Sequence, residues 1–324
     1  MKAIVCEQFG QVSDLVIKEI ETPQLKDNEV LINVAAAGVN YPDGLLVQGL
    51  YQVKPEVPFV PGTEIAGTIV ALGEKVAHLK VGMRVAAMTM LGGYAEQVAI
   101  NCMQVMPIPD FLSFEEASAL FTAHATAHHA LKQRANLQAG ETILITGAAG
   151  GTGLAAVQIA KAIGAKVIAA ASSQEKLEVC KKNGADILIN YSEQDLKTEL
   201  KALTNGKGVD VVYETVGGDT FHACSRNMAW NGRLLVIGFA GGDIPKFPVN
   251  LALVKGCSVI GVFWGTFTQK QPKDFLSNMQ ELMDWYAQGK VKVVIDQLFP
   301  LHQAAGAINK ILNRQVKGKV ILTL

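Results

Sequence analysis

Over the first third of the chain, apolar and polar positions alternate in short runs. VLINVAAAGV from Val30, EIAGTIVALG from Glu64, RVAAM from Arg84 and YAEQVAI from Tyr94 each have the period of a strand. Gly38, Pro42, Pro58, Pro61, Gly62, Gly73, Gly92 and Gly93 punctuate them, which predicts a small, mostly β region ending near Ser118. A helical pattern then runs over 114–131. Beyond it, strand candidates begin near Thr142, Val167, Ile187, Val209, Leu234 and Cys257, with room for a helix between most pairs. That alternation predicts an α/β doubly wound parallel sheet. After Trp264 comes a helix with Phe275, Met279, Leu282 and Tyr286 on one face, a strand over 291–299, a helix over 303–313 and a last strand over 319–324. We assign this tail back to the β region, so the expected domains are 1–123 with 264–324, and 124–263.

The segment TILITGAAGGTG, Thr142 to Gly153, is an apolar strand running into a glycine-rich turn, and the apolar run from Leu154 to Ile163 reads as the helix that follows. A dinucleotide-binding turn needs a small residue where the chain bends, a second where the backbone nears the pyrophosphate, and a third where helix packs on strand. Ala148, Gly150 and Gly153 fall at those places. The amides of Gly151 and Thr152 then lie at a helix N-terminus, where orphan N–H groups and the macrodipole favour an anion.

Composition narrows the classes. Of the 324 residues, 49% are hydrophobic and 18% charged, enough for two domains with sizeable cores. No run approaches the roughly eighteen apolar residues of a membrane helix, and the start MKAIVCEQFG lacks a signal-peptide hydrophobic stretch. Lys plus Arg equal Asp plus Glu at 29 each, which gives no electrostatic footprint for nucleic acid or an anionic membrane. Five scattered cysteines without a C-x-x-C pair fit a reduced, cytoplasmic protein.

In NAD-binding units an acidic residue ends the second strand and holds the ribose 2′-hydroxyl. Here the strand ends VIAAASSQEK, and Ala171 stands at that place. A 2′-phosphate, which a carboxylate would repel, is therefore accommodated. Ser172 and Ser173 offer hydroxyl and amide donors, Lys176 a charge and Tyr191 a phenol. The same SSQEK also reads as an ordinary capped helix start with solvated charges, and both readings stand at this point.

AAAGVNYPDGLLVQGLY, VPGTEIAG, GAAGGTGLAAVQIAKAIGA, DVVYETVGGD, GRLLVIGF and NRQVKGKVIL, in that order over nearly the whole chain, resemble the medium-chain dehydrogenase/reductase superfamily in its zinc-free, zeta-crystallin-like NADPH:quinone oxidoreductase branch. The resemblance implies a GroES-like, mostly β catalytic domain beside the Rossmann domain. It also implies NADPH as cofactor and a homodimer joined through the Rossmann domains by the edge segment SVIGVFW, Ser258 to Trp264. Zinc alcohol dehydrogenases of the superfamily carry Cys, His and usually Cys as catalytic ligands. The matching places here hold Asn40, Thr63 and Thr122, so no metal is expected. His124, His128 and His129 share a helix but lack a carboxylate or thiolate partner in the sequence, and they read as packing residues.

By the same resemblance Asn40 and Thr126 face the nicotinamide. Gly150, Gly151 and Thr152 hold the pyrophosphate, with Ala148 and Gly153 shaping the turn. Ser172, Ser173, Lys176 and Tyr191 surround the 2′-phosphate, Val216, Phe239 and Phe263 line the cofactor, and Arg314 returns to the phosphates or the substrate mouth. Tyr51 matches the proton-donating tyrosine of related enoyl reductases, which makes Tyr51 and Asn40 the catalytic candidates. The expected activity is hydride transfer from NADPH, without metal, to a small-molecule quinone or similar conjugated acceptor. The rivals are an enoyl or alkenal reductase on the same scaffold and a non-catalytic NADPH-binding protein with a structural or RNA-binding role.

Overall fold

The computed structural model describes the whole chain, Met1–Leu324. It divides into two compact units, Met1–Thr122 with Ile295–Leu324, and Ala123–Val294. In the first unit a seven-stranded sheet runs in the order Ile295–Pro300, Lys319–Thr323, Glu29–Val39, Glu64–Leu72, Arg84–Met88 and Val105–Pro107, with Gln97–Asn101 also paired to Glu29–Val39. Only the pair Ile295–Pro300 and Lys319–Thr323 is parallel. The long strand Glu29–Val39 alternates at its start and is continuously buried at its end, where it meets the core of Ile65, Val85, Ile308 and Val320. The last strand therefore lies beside Val39, and Val320 pairs with it.

The second unit contains a six-stranded, all-parallel sheet. Its order is Ile187–Asn190, Lys166–Ala171, Thr142–Thr146, Val209–Glu214, Met228–Val236 and Ser258–Gly261. Numbered along the chain this is 3-2-1-4-5-6, the doubly wound order. The direction of winding reverses beside Thr142–Thr146, so the glycine turn leaves the sheet at its switch point, where ligands bind in such folds.

Two expectations are corrected. Residues 264–294 belong to the second unit, not the first. The helix Pro272–Ala287 buries Met279 and Leu282. Its Glu281 accepts from Lys132 Nζ at 2.7 and 2.8 Å and lies 2.7 Å from His128 Nε2, while Asn278 and Gln133 exchange hydrogen bonds. Phe267 stacks on His129 at 3.8 Å, and Lys292 N donates to Gln158. Amphipathic spacing shows that one face of a helix is buried but not what it is buried against. The edge segment is also shorter than expected. It is a strand only over Ser258–Gly261, and Trp264 turns inward as the first residue of the helix Trp264–Lys270.

Candidate functional site

The turn after Thr142–Thr146 is built from backbone. Gly147 adopts φ +56°, Ala148 is buried, and Gly150 caps the helix Gly151–Ile163 with extended geometry. A Cβ on Gly153 would lie 2.4 Å from the Gly147 carbonyl oxygen and 2.8 Å from Ala148 backbone, so only glycine lets the helix start this close to the turn. A Cβ on Gly150 would meet nothing nearer than 3.4 Å. The helix start thus offers first-turn amides beside open space at Gly150, which fits a pyrophosphate. The Thr152 hydroxyl is tied to the Tyr213 hydroxyl at 2.5 Å and to the Ala123 carbonyl at 3.3 Å, and burial pushes the Tyr213 phenol well up. Glu214, wholly buried, accepts from the amides of Val216 and Gly217 and from Thr146 Oγ1, which fixes the loop that carries Val216.

At the end of Lys166–Ala171 the strand partners are Ala171 and Asn190. Ser173 caps the helix Gln174–Lys182 by accepting from Lys176 N at 3.4 Å. Lys176 Nζ folds back to Ser172 Oγ at 3.0 Å, and Tyr191 N donates to the Ala171 carbonyl. The structure thus brings Ser172, Ser173, Lys176 and Tyr191 around the strand end that lacks an acid. The helix-cap reading of SSQEK is what the structure shows, with Lys176 Nζ beside the Ser172 hydroxyl at the same strand end. Of the remaining second-unit candidates, Thr126 lies half-buried on the helix Phe114–His128, Phe239 packs against Gly217, and Phe263 is exposed just before Trp264–Lys270. The three helical histidines do not converge. His124 Nε2 lies 3.2 Å from the Lys292 carbonyl, His128 meets Glu281, and His129 meets Gln133.

In the first unit Asn40 belongs to a cluster that the sequence reading missed. Glu64, fully buried, accepts from Asn40 Nδ2 at 2.8 Å, from Lys319 Nζ at 2.6 Å and from Thr122 N at 2.9 Å. Lys319 Nζ also donates to Asn40 Oδ1 at 2.6 Å. Asp43, equally buried, accepts from Tyr94 Oη at 2.7 Å, Asn40 N at 2.8 Å and Thr63 Oγ1 at 3.3 Å. Burial pushes the Asp43 carboxyl up to about 6 against these hydrogen bonds and the attraction of Lys319. Gly38 makes room for the cluster, because a Cβ there would stand 2.5 Å from Glu64 Oε1 and 2.2 Å from the Ser118 carbonyl oxygen. Tyr51 is half-buried in the loop after the helix Tyr41–Val47, and burial, helped by Asp43, raises its phenol pKa. Arg314 stands exposed at φ +56°, where the helix Ala304–Leu312 ends.

Residues 26–110 match the family model of the alcohol dehydrogenase GroES-like domain, and residues 151–296 that of zinc-binding dehydrogenases. The chain is 40% identical to quinone oxidoreductase-like protein 2 homolog of Nematostella vectensis, covering 99% of this chain and 88% of the relative. It is 33% identical to Homo sapiens quinone oxidoreductase, covering 100% and 98%. The solved Escherichia coli quinone oxidoreductase complexed with NADPH superposes with a TM-score of 0.95 at 30% identity, over the whole of both chains. The zinc in the second model's description does not fit this chain. Asn40, Thr63 and Thr122 supply no thiolate or imidazole, and the one amide oxygen among them is turned to an ammonium.

Proposed function

This chain belongs to the quinone oxidoreductase family of the medium-chain dehydrogenase/reductase superfamily, and from that premise we propose that it reduces a quinone-type acceptor with NADPH and without metal. The observation that carries the choice of cofactor is the end of Lys166–Ala171, where Ala171 replaces an acid and Lys176, Ser172 and Ser173 gather beside it. The full-length likeness to the NADPH-bound Escherichia coli enzyme supports it. The bound cofactor would supply a hydride from its nicotinamide. The chain's own residues bind and orient it. The amides of Gly151 and Thr152 take the pyrophosphate, which approaches the backbone at Gly150 in a turn shaped by Ala148 and Gly153. Ser172, Ser173, Lys176 and Tyr191 take the 2′-phosphate, while Val216, Phe239 and Phe263 line the cofactor. Asn40 and Thr126 serve the nicotinamide end, and Arg314 serves the phosphates.

The family fold is further proposed to act as a homodimer. Leu253, Val249, Val254 and Trp230 expose 70 to 82% of their surface, and with the outermost strand Ser258–Gly261 they form an apolar edge that a second copy would cover. All five cysteines are free thiols and four are buried, which supports a reducing, cytoplasmic setting. No helix is long and apolar enough to cross a membrane.

The test is steady-state turnover of purified protein with NADPH and NADH against a panel of quinones and enones, together with elemental analysis and sedimentation. We expect a higher kcat/KM with NADPH, quinone turnover, no stoichiometric zinc and a dimer at micromolar concentration. Equal use of NADH would sink the 2′-phosphate assignment. Zinc-restored activity after chelation would sink the metal-free reading, and a monomer would sink the dimer.

A further inference from the structure

Asn40 is gripped at both ends of its amide by groups of opposite charge. An ammonium has only donors, so Lys319 Nζ, 2.6 Å away, must face the amide oxygen. An ionised carboxylate has only acceptors, so Glu64 Oε1, 2.8 Å away on the other side, must face the amide nitrogen. Turning the amide over would set N–H against ammonium and oxygen against carboxylate, losing two charge-assisted bonds at once. Its orientation is therefore fixed by charge. One N–H is committed to Glu64. Around the same nitrogen, the Gly38 carbonyl and Thr63 Oγ1 lie at 3.4 Å, the long end of hydrogen bonding. Of the three residues Glu64 retains no exposed surface, Lys319 4% and Asn40 9%, so Asn40 is the most accessible member.

We propose that Lys319 is a positioning residue whose buried ammonium locks the Asn40 amide so that its second N–H is a fixed donor to a ligand carbonyl oxygen. The cluster would then polarise a carbonyl at the place where zinc relatives carry metal ligands, with a cation-backed amide in place of the metal. On the proposed function, on which this point rests, the carbonyl is that of the nicotinamide carboxamide or of the acceptor.

The competing role for Lys319 is simple neutralisation of Glu64, and a charge-free pair separates the two. Lys319→Met alone strands a buried carboxylate and is expected to lower the melting temperature. In Lys319→Met/Glu64→Gln the charge problem is gone. The glutamine amide introduced in place of the Glu64 carboxylate can accept from Thr122 N with its oxygen and turn its NH2 to Asn40, which reverses the Asn40 amide. We expect this double variant to recover most of the melting temperature yet lose roughly tenfold or more, the worth of one oriented hydrogen bond, in a functional readout. Nucleotide titration by nicotinamide fluorescence, with no acceptor present, shows a weaker Kd if the carbonyl is the carboxamide. Quinone turnover shows a lower kcat at unchanged Kd if it belongs to the acceptor. Wild-type Kd and kcat in the double variant would overturn the proposal. Should that variant fail to fold, Asn40→Ala, which keeps the ion pair, must show the same loss, and its absence overturns the proposal equally. A wild-type protein that binds nucleotide but reduces no acceptor would end the functional reading and leave the Kd measurement to decide the clamp.

Discussion

The turn at Gly147–Gly153 and the cluster around Glu64 are both made to handle charge, and they are built from opposite materials. The turn uses backbone amides, the absence of side chains and a helix end. The cluster relies on side chains, with two carboxyls, one ammonium, an amide and hydroxyls withdrawn from water, and only the amides of Asn40 and Thr122 join from the backbone. A backbone site tolerates no added atoms, while a side-chain site tolerates shape changes but not unpaired charge. The first comparison to break is therefore steric. Gly153→Val drives a branched side chain into the Gly147 carbonyl and Ala148 backbone, and should cost about 3 kcal/mol of stability and abolish NADPH binding. Gly150→Ala, with only a 3.4 Å contact, should melt near wild type yet bind NADPH far more weakly, because the methyl occupies the approach of the pyrophosphate. Wild-type affinity in Gly150→Ala would remove the backbone-approach argument.

The same contrast explains what the sequence let us read. Ala148, Gly150 and Gly153 were legible because a turn of fixed shape needs small residues at fixed spacing. Ala171 was legible because the acid it replaces sits at a fixed distance along one strand. Glu64 and Lys319 are 255 residues apart, and no spacing rule joins them. A signal existed in each, a charged residue opening an apolar strand, Glu64 in PGTEIAGTIV and Lys319 in GKVILTL. Such a residue is rarely buried unless paired, but the sequence does not name the partner. The helix Pro272–Ala287 went astray for the same reason, since its buried face was visible and its partners His128, Lys132 and Gln133 were not.

The charge balance of the cluster can be broken at Asp43. Well below pH 3.8 the Asp43 carboxyl is protonated in folded and unfolded chains alike, and the stability it contributes in that form is fully present. As pH rises the unfolded chain ionises first, near the ordinary value of 3.8, and the folded chain only near 6. Stability attributable to Asp43 therefore falls across that window and stays lost above it, by on the order of 2 to 3 kcal/mol. Asn at this position can still accept from Tyr94 and Asn40 N with its oxygen and donate to Thr63. Unfolding free energies of wild type and Asp43→Asn should hence diverge in favour of the variant between about pH 4 and 6. Parallel curves would show that the carboxyl titrates normally.

Next in size is the cofactor preference. Ala171→Asp places a like charge beside a 2′-phosphate and should shift the ratio of kcat/KM values toward NADH by roughly tenfold or more, the factor that about 1.4 kcal/mol of repulsion gives. Ala171 is buried, so melting is followed in parallel. An unchanged ratio in a folded variant would mean that the phosphate is held elsewhere than at Ser172, Ser173 and Lys176.

The smallest effect is expected at Tyr51. Hydride addition to an enone leaves a carbanion-like α-carbon that needs a proton inside the site, so deleting a positioned acid costs on the order of a hundredfold. A quinone differs because its developing charge sits on oxygen, where water can neutralise it after hydride arrives. Burial and the nearby Asp43 carboxyl both raise the Tyr51 pKa, which makes the phenol a more reluctant acid than a free tyrosine. Its ring, half-buried in the loop beyond the helix Tyr41–Val47, can still stack and orient. Tyr51→Phe keeps the ring and removes only the hydroxyl. Quinone kcat should then stay within about twofold of wild type, while any enone turnover falls steeply. Equal losses on both substrates would mean that the hydroxyl acts on the cofactor instead. No loss on either would take from the enoyl-reductase alternative its one candidate proton donor.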